Sequence, residues 1–103
     1  MKIRIAEKSD IETLMKIRLE MLREVNNLPS DYEYGDEFVC CHREYFEKGD
    51  QTIVLAENDN GEAVGCASIS YITVMPTFSH PTGKRAHLMN VYTRAEYRRH
   101  GLA

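Results

Sequence analysis

The chain has 103 residues, 43% of them apolar and 28% charged, with a net charge of −3 and a pI near 5.8. That is room for one small domain with one core, and the mixed, slightly acidic charge excludes the clustered excess of Lys and Arg that a nucleic-acid interface needs. No apolar run approaches a membrane span, and Met1-Lys2-Ile3-Arg4-Ile5 lacks a secretory apolar stretch, so a soluble cytoplasmic domain is expected.

Lys2-Ile3-Arg4-Ile5-Ala6 alternates and predicts a first strand. Ser9-Asp10-Ile11-Glu12 has the spacing of a capping box, with Ser9 as N-cap and Glu12 reaching back. The helix that follows runs to about Val25 and places Ile11, Leu14, Met15, Leu22 and Val25 on one face. Asn26 to Asp31, with Pro29, breaks it. A second helix covers about Glu37 to Lys48, closed by Gly49, with Phe38, Cys41, Tyr45 and Phe46 as its apolar positions. Gln51 to Glu57 reads as a strand and Asn58-Asp59-Asn60-Gly61 as a turn. A longer β-rich run from Glu62 to Met75 pairs back as a hairpin. Pro76, Pro81 and Gly83 mark a loop to Lys84, and Arg85 to Thr93 forms the last strand.

Three cysteines, an odd number, argue against a disulfide framework. In Cys40-Cys41-His42, neighbours on a helix point in different directions and cannot close a tetrahedral metal site, so no metal is expected. Cys40, Cys41 and Cys66 read as small buried hydrophobes.

The last strand leads directly into Arg98-Arg99-His100-Gly101-Leu102-Ala103. A basic residue, two spacers, Gly, a spacer and a small residue suit a turn whose backbone N–H groups converge on a phosphate. Gly101 admits positive φ, and Ala103 leaves room for a diphosphate to approach. Taken alone, the hexamer reads rather as a plain helix N-terminus or an exposed turn. Arg94, Arg98, Arg99 and His100 also form a local basic cluster suited to a small anion. The glycines lack the Gly-Lys-Ser/Thr ending and the G-x-G-x-x-G run of other nucleotide-binding loops.

Together, the strand Leu88 to Thr93, Glu96-Tyr97 and the hexamer resemble the coenzyme A motif of the GCN5-related N-acetyltransferases, the GNAT superfamily. In that family a β-strand precedes Arg/Gln-x-x-Gly-x-Gly/Ala, often after Pro-Glu-Tyr. Here Ala95 stands at the Pro position. The element order β-α-α-β-β-β extends the resemblance over nearly the whole chain, although only Val91 to Ala103 is specific. It implies an α+β fold with a mixed sheet, the N-terminal part of a GNAT domain spanning residues 1–103, with the C-terminal part absent.

The resemblance further implies acetyl-CoA as co-substrate and a small-molecule or peptide amine as acceptor. The strand before the motif would bulge, and backbone groups of Val91, Tyr92 and Thr93 would hold the pantetheine arm and acetyl carbonyl. N–H groups of Arg99, His100, Gly101, Leu102 and Ala103 would cradle the pyrophosphate, with Arg98 propping the loop. The amine would attack the thioester directly, so no cysteine need act as nucleophile. No catalytic residue is assigned. Glu96, Asn90, Tyr92, His80 and His87 are the nearby groups weighed for proton transfer or acceptor contact. The acidic stretch Asp31, Glu33, Asp36 and Glu37 reads either as a solvated loop or as an attractor of a cationic amine. A non-catalytic, self-associating module of the same half-fold is the alternative, and a homodimer is expected in either case, without nucleic-acid or membrane partners.

Overall fold

A computed structural model of the chain describes residues 1–98, in which the elements follow the expected order. Strand β1 (Lys2–Ile5) leads to helices α1 (Ile11–Val25) and α2 (Asp36–Lys48), then to β2 (Gln51–Glu57), β3 (Ala63–Thr73) and β4 (Lys84–Thr93). The four strands form one antiparallel sheet in the order β1-β2-β3-β4. Gly and Pro set these boundaries: Gly61 turns β2 into β3 at φ 79, and Gly83 closes the β3–β4 loop at φ 67. A Cβ at Gly83 would collide with the Val74 carbonyl, so this loop admits only glycine.

Both helices lie on one face of the sheet. Leu14, Ile17 and Met21 of α1 meet Ile53 and Leu55 of β2, Cys66 of β3 and Tyr92 of β4. Ile17, Leu55 and Val64 are fully buried, each burial worth about 1.5–3 kcal/mol of apolar transfer. The inward stripe of α1 is therefore rotated from the expected one. Ile17 and Met21 take the core positions, whereas Val25 is 66% exposed. The opposite face of the sheet carries Ile3, Ile5, Ile69 and Leu88, all exposed. These four share that face because Ile3 opposes Ala56, Ile5 opposes Val54 and Ile69 opposes Leu88.

The helix start differs from the expected capping box. Ser9 lies inside a 3-10 turn, Lys8–Asp10, and the Asp10 carboxylate accepts the Glu7 N–H at 2.7 Å. Glu12 pairs instead with Arg43 of α2, tying the two helices together. Asp10 stands at the N-cap position of α1, its carboxylate part of a Glu7–Asp10 capping box on the 3-10 turn. Arg4 holds it through two hydrogen bonds, 2.8 and 2.7 Å, while also pairing with Glu57 at 3.0 Å. The bonds from Arg4 and from the Glu7 amide hold the Asp10 carboxyl at about 2, below its ordinary 3.8. A depressed carboxylate stabilises the fold above its unfolded pKa and loses that contribution as pH falls through the folded value. The thermal midpoint should therefore fall as pH drops from about 4 towards 2. Asp10→Asn should flatten that slope; an unchanged slope would remove Asp10 from the acid response.

Helix α2 has no buried residue. Phe46 alone of its expected apolar positions packs against the core, half-buried. Phe38 instead stacks on Tyr34, with ring centroids 4.8 Å apart. Contrary to the expectation of burial, Cys40 and Cys41 are exposed, and only Cys66 is buried. The reason is that α2 borders an open cavity rather than a closed core. No helix among the described residues is long and apolar enough to cross a membrane.

Candidate functional site

Strand β4 is irregular where the sequence turns towards the hexamer. Its pairing with β3 runs from Thr73↔Lys84 to Ser68↔Met89 and resumes at Cys66↔Tyr92. Asn90 and Val91 thus face Ala67 together, a β-bulge with Asn90 in the left-handed region at φ 54. Asparagine is among the side chains that tolerate this conformation best. The extra residue turns the strand, so that Met89 and Asn90 border one cavity while Tyr92 returns to the core. Among the described strands β4 lies at the sheet edge, leaving its outer side open beside the bulge.

Beyond the bulge the chain is fastened to α1. The Tyr92 hydroxyl donates towards Glu20 and Glu24 at 3.1 and 2.9 Å. Burial and these carboxylates raise its pKa, so this hydroxyl stays protonated. Arg94 binds Glu20 through two hydrogen bonds, 2.9 and 3.1 Å. Arg98 donates to the Thr93 carbonyl at 2.8 Å and pairs with Glu24. Arg94 and Arg98 are therefore not the free cations of a basic cluster; each is neutralised by a carboxylate of α1. Arg98 braces the turn that follows β4. Thr93 is buried and Val91 half-exposed. Arg99, His100, Gly101, Leu102 and Ala103 lie outside the described residues.

Between α2, strand β3 and the bulge of β4, with Arg18 of α1 at its border, lies a cavity of about 420 Å³. Tyr45, Phe46, Ile72 and Met89 supply apolar wall, and Arg18 and Asn90 the polar end. The Arg18 guanidinium donates to the Asn90 side-chain oxygen at 3.2 Å. Burial lowers its pKa, and no carboxylate lines the cavity to offset that. Tyr45 and Ser70 share a hydrogen bond of 2.5 Å across the wall. The Ser68 hydroxyl is buried without a hydrogen-bond partner, an arrangement costing about 1–3 kcal/mol. Cys66 sits below this floor, donating to the Asn90 carbonyl at 3.2 Å. Burial pushes its thiol up to about 11, so it is no nucleophile at neutral pH.

The remaining candidates scatter. Glu96 is exposed in the 3-10 turn Ala95–Tyr97, and His80 and His87 are exposed on the β3–β4 arm. Asp31, Glu33, Asp36 and Glu37 are exposed and do not line the cavity. Asp36 and Glu37 occupy the first turn of α2, where negative charge favours the helix dipole. Of the weighed residues, the structure brings Asn90 to the cavity and sends Tyr92 into the core. Arg18 was not among them. Its signal is a charged residue within the apolar stripe Leu14, Ile17 and Met21.

The sequence family described as the acetyltransferase (GNAT) family matches residues 14–103. No curated protein sequence matches the chain. A predicted acetyltransferase with acetyl-CoA from Clostridium acetobutylicum superposes with a TM-score of 0.78 at 24% identity, over 98% of this chain and 64% of that one. A GCN5-related N-acetyltransferase from Ralstonia eutropha gives 0.72 at 21% identity, over 97% and 66%. An aminoglycoside antibiotic 6'-N-acetyltransferase from Acinetobacter baumannii gives 0.63 at 19%, over 97% and 61%. The chain thus spans less than two thirds of the length of each, and the likeness is one of fold.

Proposed function

The chain belongs to the GNAT acetyltransferase family, and on that premise we propose that it serves the transfer of an acetyl group from acetyl-CoA to a primary amine. The observation that carries this reading is the bulge at Asn90 and Val91. It lies on an open strand edge, beside a cavity, eight residues before Arg98-x-x-Gly101-x-Ala103 when counted from Asn90 to Arg98. The pantetheine arm carries amides of its own, so a strand edge with free backbone groups suits it; Val91, Tyr92 and Thr93 would supply them. The N–H groups of Arg99 to Ala103 would take the pyrophosphate. Arg98 would brace the turn, through its bonds to Thr93 and Glu24.

With Arg94 and Arg98 paired, the turn has less free side-chain charge for an anion, and backbone N–H groups become its main donors. The acetyl-CoA thioester supplies the acyl group: the neutral amine forms the new C–N bond, the C–S bond breaks, and the proton the amine gives up ends on the departing thiolate or in solvent. Exposed, unpaired Cys40 and Cys41 fit a reducing compartment, and a cytoplasmic location is proposed on that ground. Calorimetry of the full-length protein should give saturable acetyl-CoA binding, and an amine panel should give thiol release. Absence of saturable binding overturns the proposal. Binding without thiol release from any amine would favour the non-catalytic module.

A further inference from the structure

We infer that the cavity beside Arg18 receives the carboxylate of an acceptor that also carries an apolar body, the chemistry of a free amino acid with an apolar side chain. This rests on the acetyltransferase reading and names the acceptor class for it. Four other arginines, Arg4, Arg43, Arg94 and Arg98, each meet a carboxylate of the chain. Arg18 meets an amide oxygen, and no acidic residue lines its cavity. A guanidinium has five donors in a planar fork, and one bond to Asn90 leaves donors for a two-oxygen partner.

A half-buried cation without a counter-ion among the described residues is a cost to the fold, and a carboxylate in the cavity removes it. The second donor is on the floor. Ser68 is 5% exposed, borders the cavity and has a hydroxyl with no partner. A carboxylate set between Arg18 and Ser68 satisfies both. The apolar remainder then lies against Tyr45, Phe46, Ile72 and Met89. At about 420 Å³ the space suits a small molecule. A polyamine is disfavoured, because its charges would meet Arg18 with no acid in the cavity to receive them.

Position links this to the chemistry. Arg18 touches Asn90, and Asn90 is half of the bulge. In an α-amino acid the amine is two bonds from the carboxylate carbon, so a carboxylate on Arg18 leaves the amine beside the bulge, where the acetyl group is proposed to lie.

The test compares three probes on the full-length protein: L-phenylalanine, L-phenylalaninamide and 2-phenylethylamine. Binding is measured calorimetrically without acetyl-CoA, so the outcome does not depend on acetyl transfer. L-Phenylalanine should bind at least tenfold more tightly than the other two, and show the same preference in KM as an acceptor. Arg18→Met should erase the preference, Arg18→Lys should keep part of it, and Ser68→Ala should reduce it. No binding of L-phenylalanine, or equal or tighter binding of the amide or the amine, overturns the inference in the unmodified protein. If acetyl-CoA itself fails to bind, the acetyltransferase reading falls, while the ordering of the three probes still decides the carboxylate site.

Discussion

Gly101→Val is expected to abolish acetyl-CoA binding by the full-length protein while leaving its circular dichroism and thermal midpoint near those of the unmodified protein. The proposed socket depends on backbone N–H groups approaching a diphosphate, and a side chain in place of Gly101 would crowd it. A β-branched side chain disfavours positive φ and fills the space the phosphate needs. No buried contact of the described core is touched, because the core cluster runs from Leu14 to Tyr92. Arg98→Ala should act more mildly. It removes the bond to Thr93 and the pair with Glu24, loosening the turn without obstructing it. Affinity should fall by roughly tenfold, about 1.4 kcal/mol, against complete loss for Gly101→Val. Calorimetry on both variants separates the cases, and tight binding by Gly101→Val would show that the pyrophosphate lies elsewhere.

The second large effect concerns the 103-residue chain by itself, which is expected to associate as a two-fold dimer and to bind acetyl-CoA weakly. The sheet face away from the helices leaves Ile3 60%, Ile5 65%, Ile69 36% and Leu88 70% exposed. Such a face invites pairing, and β4 at the sheet edge offers unpaired backbone groups beside it. Two copies related by a two-fold axis would bury the same patch on each. Light scattering over a dilution series should move from about twice the 11.9 kDa chain mass towards that mass. Ile69→Lys with Leu88→Lys should hold the chain at the monomer mass, since two charges would have to be buried for the faces to meet. A chain that is monomeric at every concentration, or that binds acetyl-CoA tightly, contradicts this expectation.

Much of the architecture is legible in the amino-acid order because local signals and the final packing agree. β2 is found at Gln51–Glu57 as expected, since alternation is bounded by Gly49 and the Asn58–Gly61 turn. β4 gains one residue, Lys84, and β3 is shorter at both ends than the run Glu62 to Met75. Failures occur where distant residues decide. Asp10, at the N-cap position, is held by Arg4, and Glu12 is drawn off to Arg43. Arg94 and Arg98 of the basic cluster are paired with Glu20 and Glu24, which precede them by 74 residues each. Cys41 has a helical apolar spacing but faces an open cavity, so periodicity alone misjudges its burial. The Arg18–Asn90 contact crosses 72 residues, and a bulge one residue long leaves no trace in composition.

The order of the strands also bears on how the chain reaches this state. β2, β3 and β4 form a meander of two hairpins, closed by the turn at 58–62 and the loop at 74–83, whereas Ile5 must find Val54 and Lys2 must find Glu57 across both helices. Loop closure grows costlier with the length of chain enclosed, and distant pairings are slow. The meander can therefore assemble without β1, but β1 has no partner until β2 exists and the helices have folded back. The amino-terminal strand is therefore expected to dock last, with Arg4, holding Asp10 on one side and Glu57 on the other, as the clasp that fastens it.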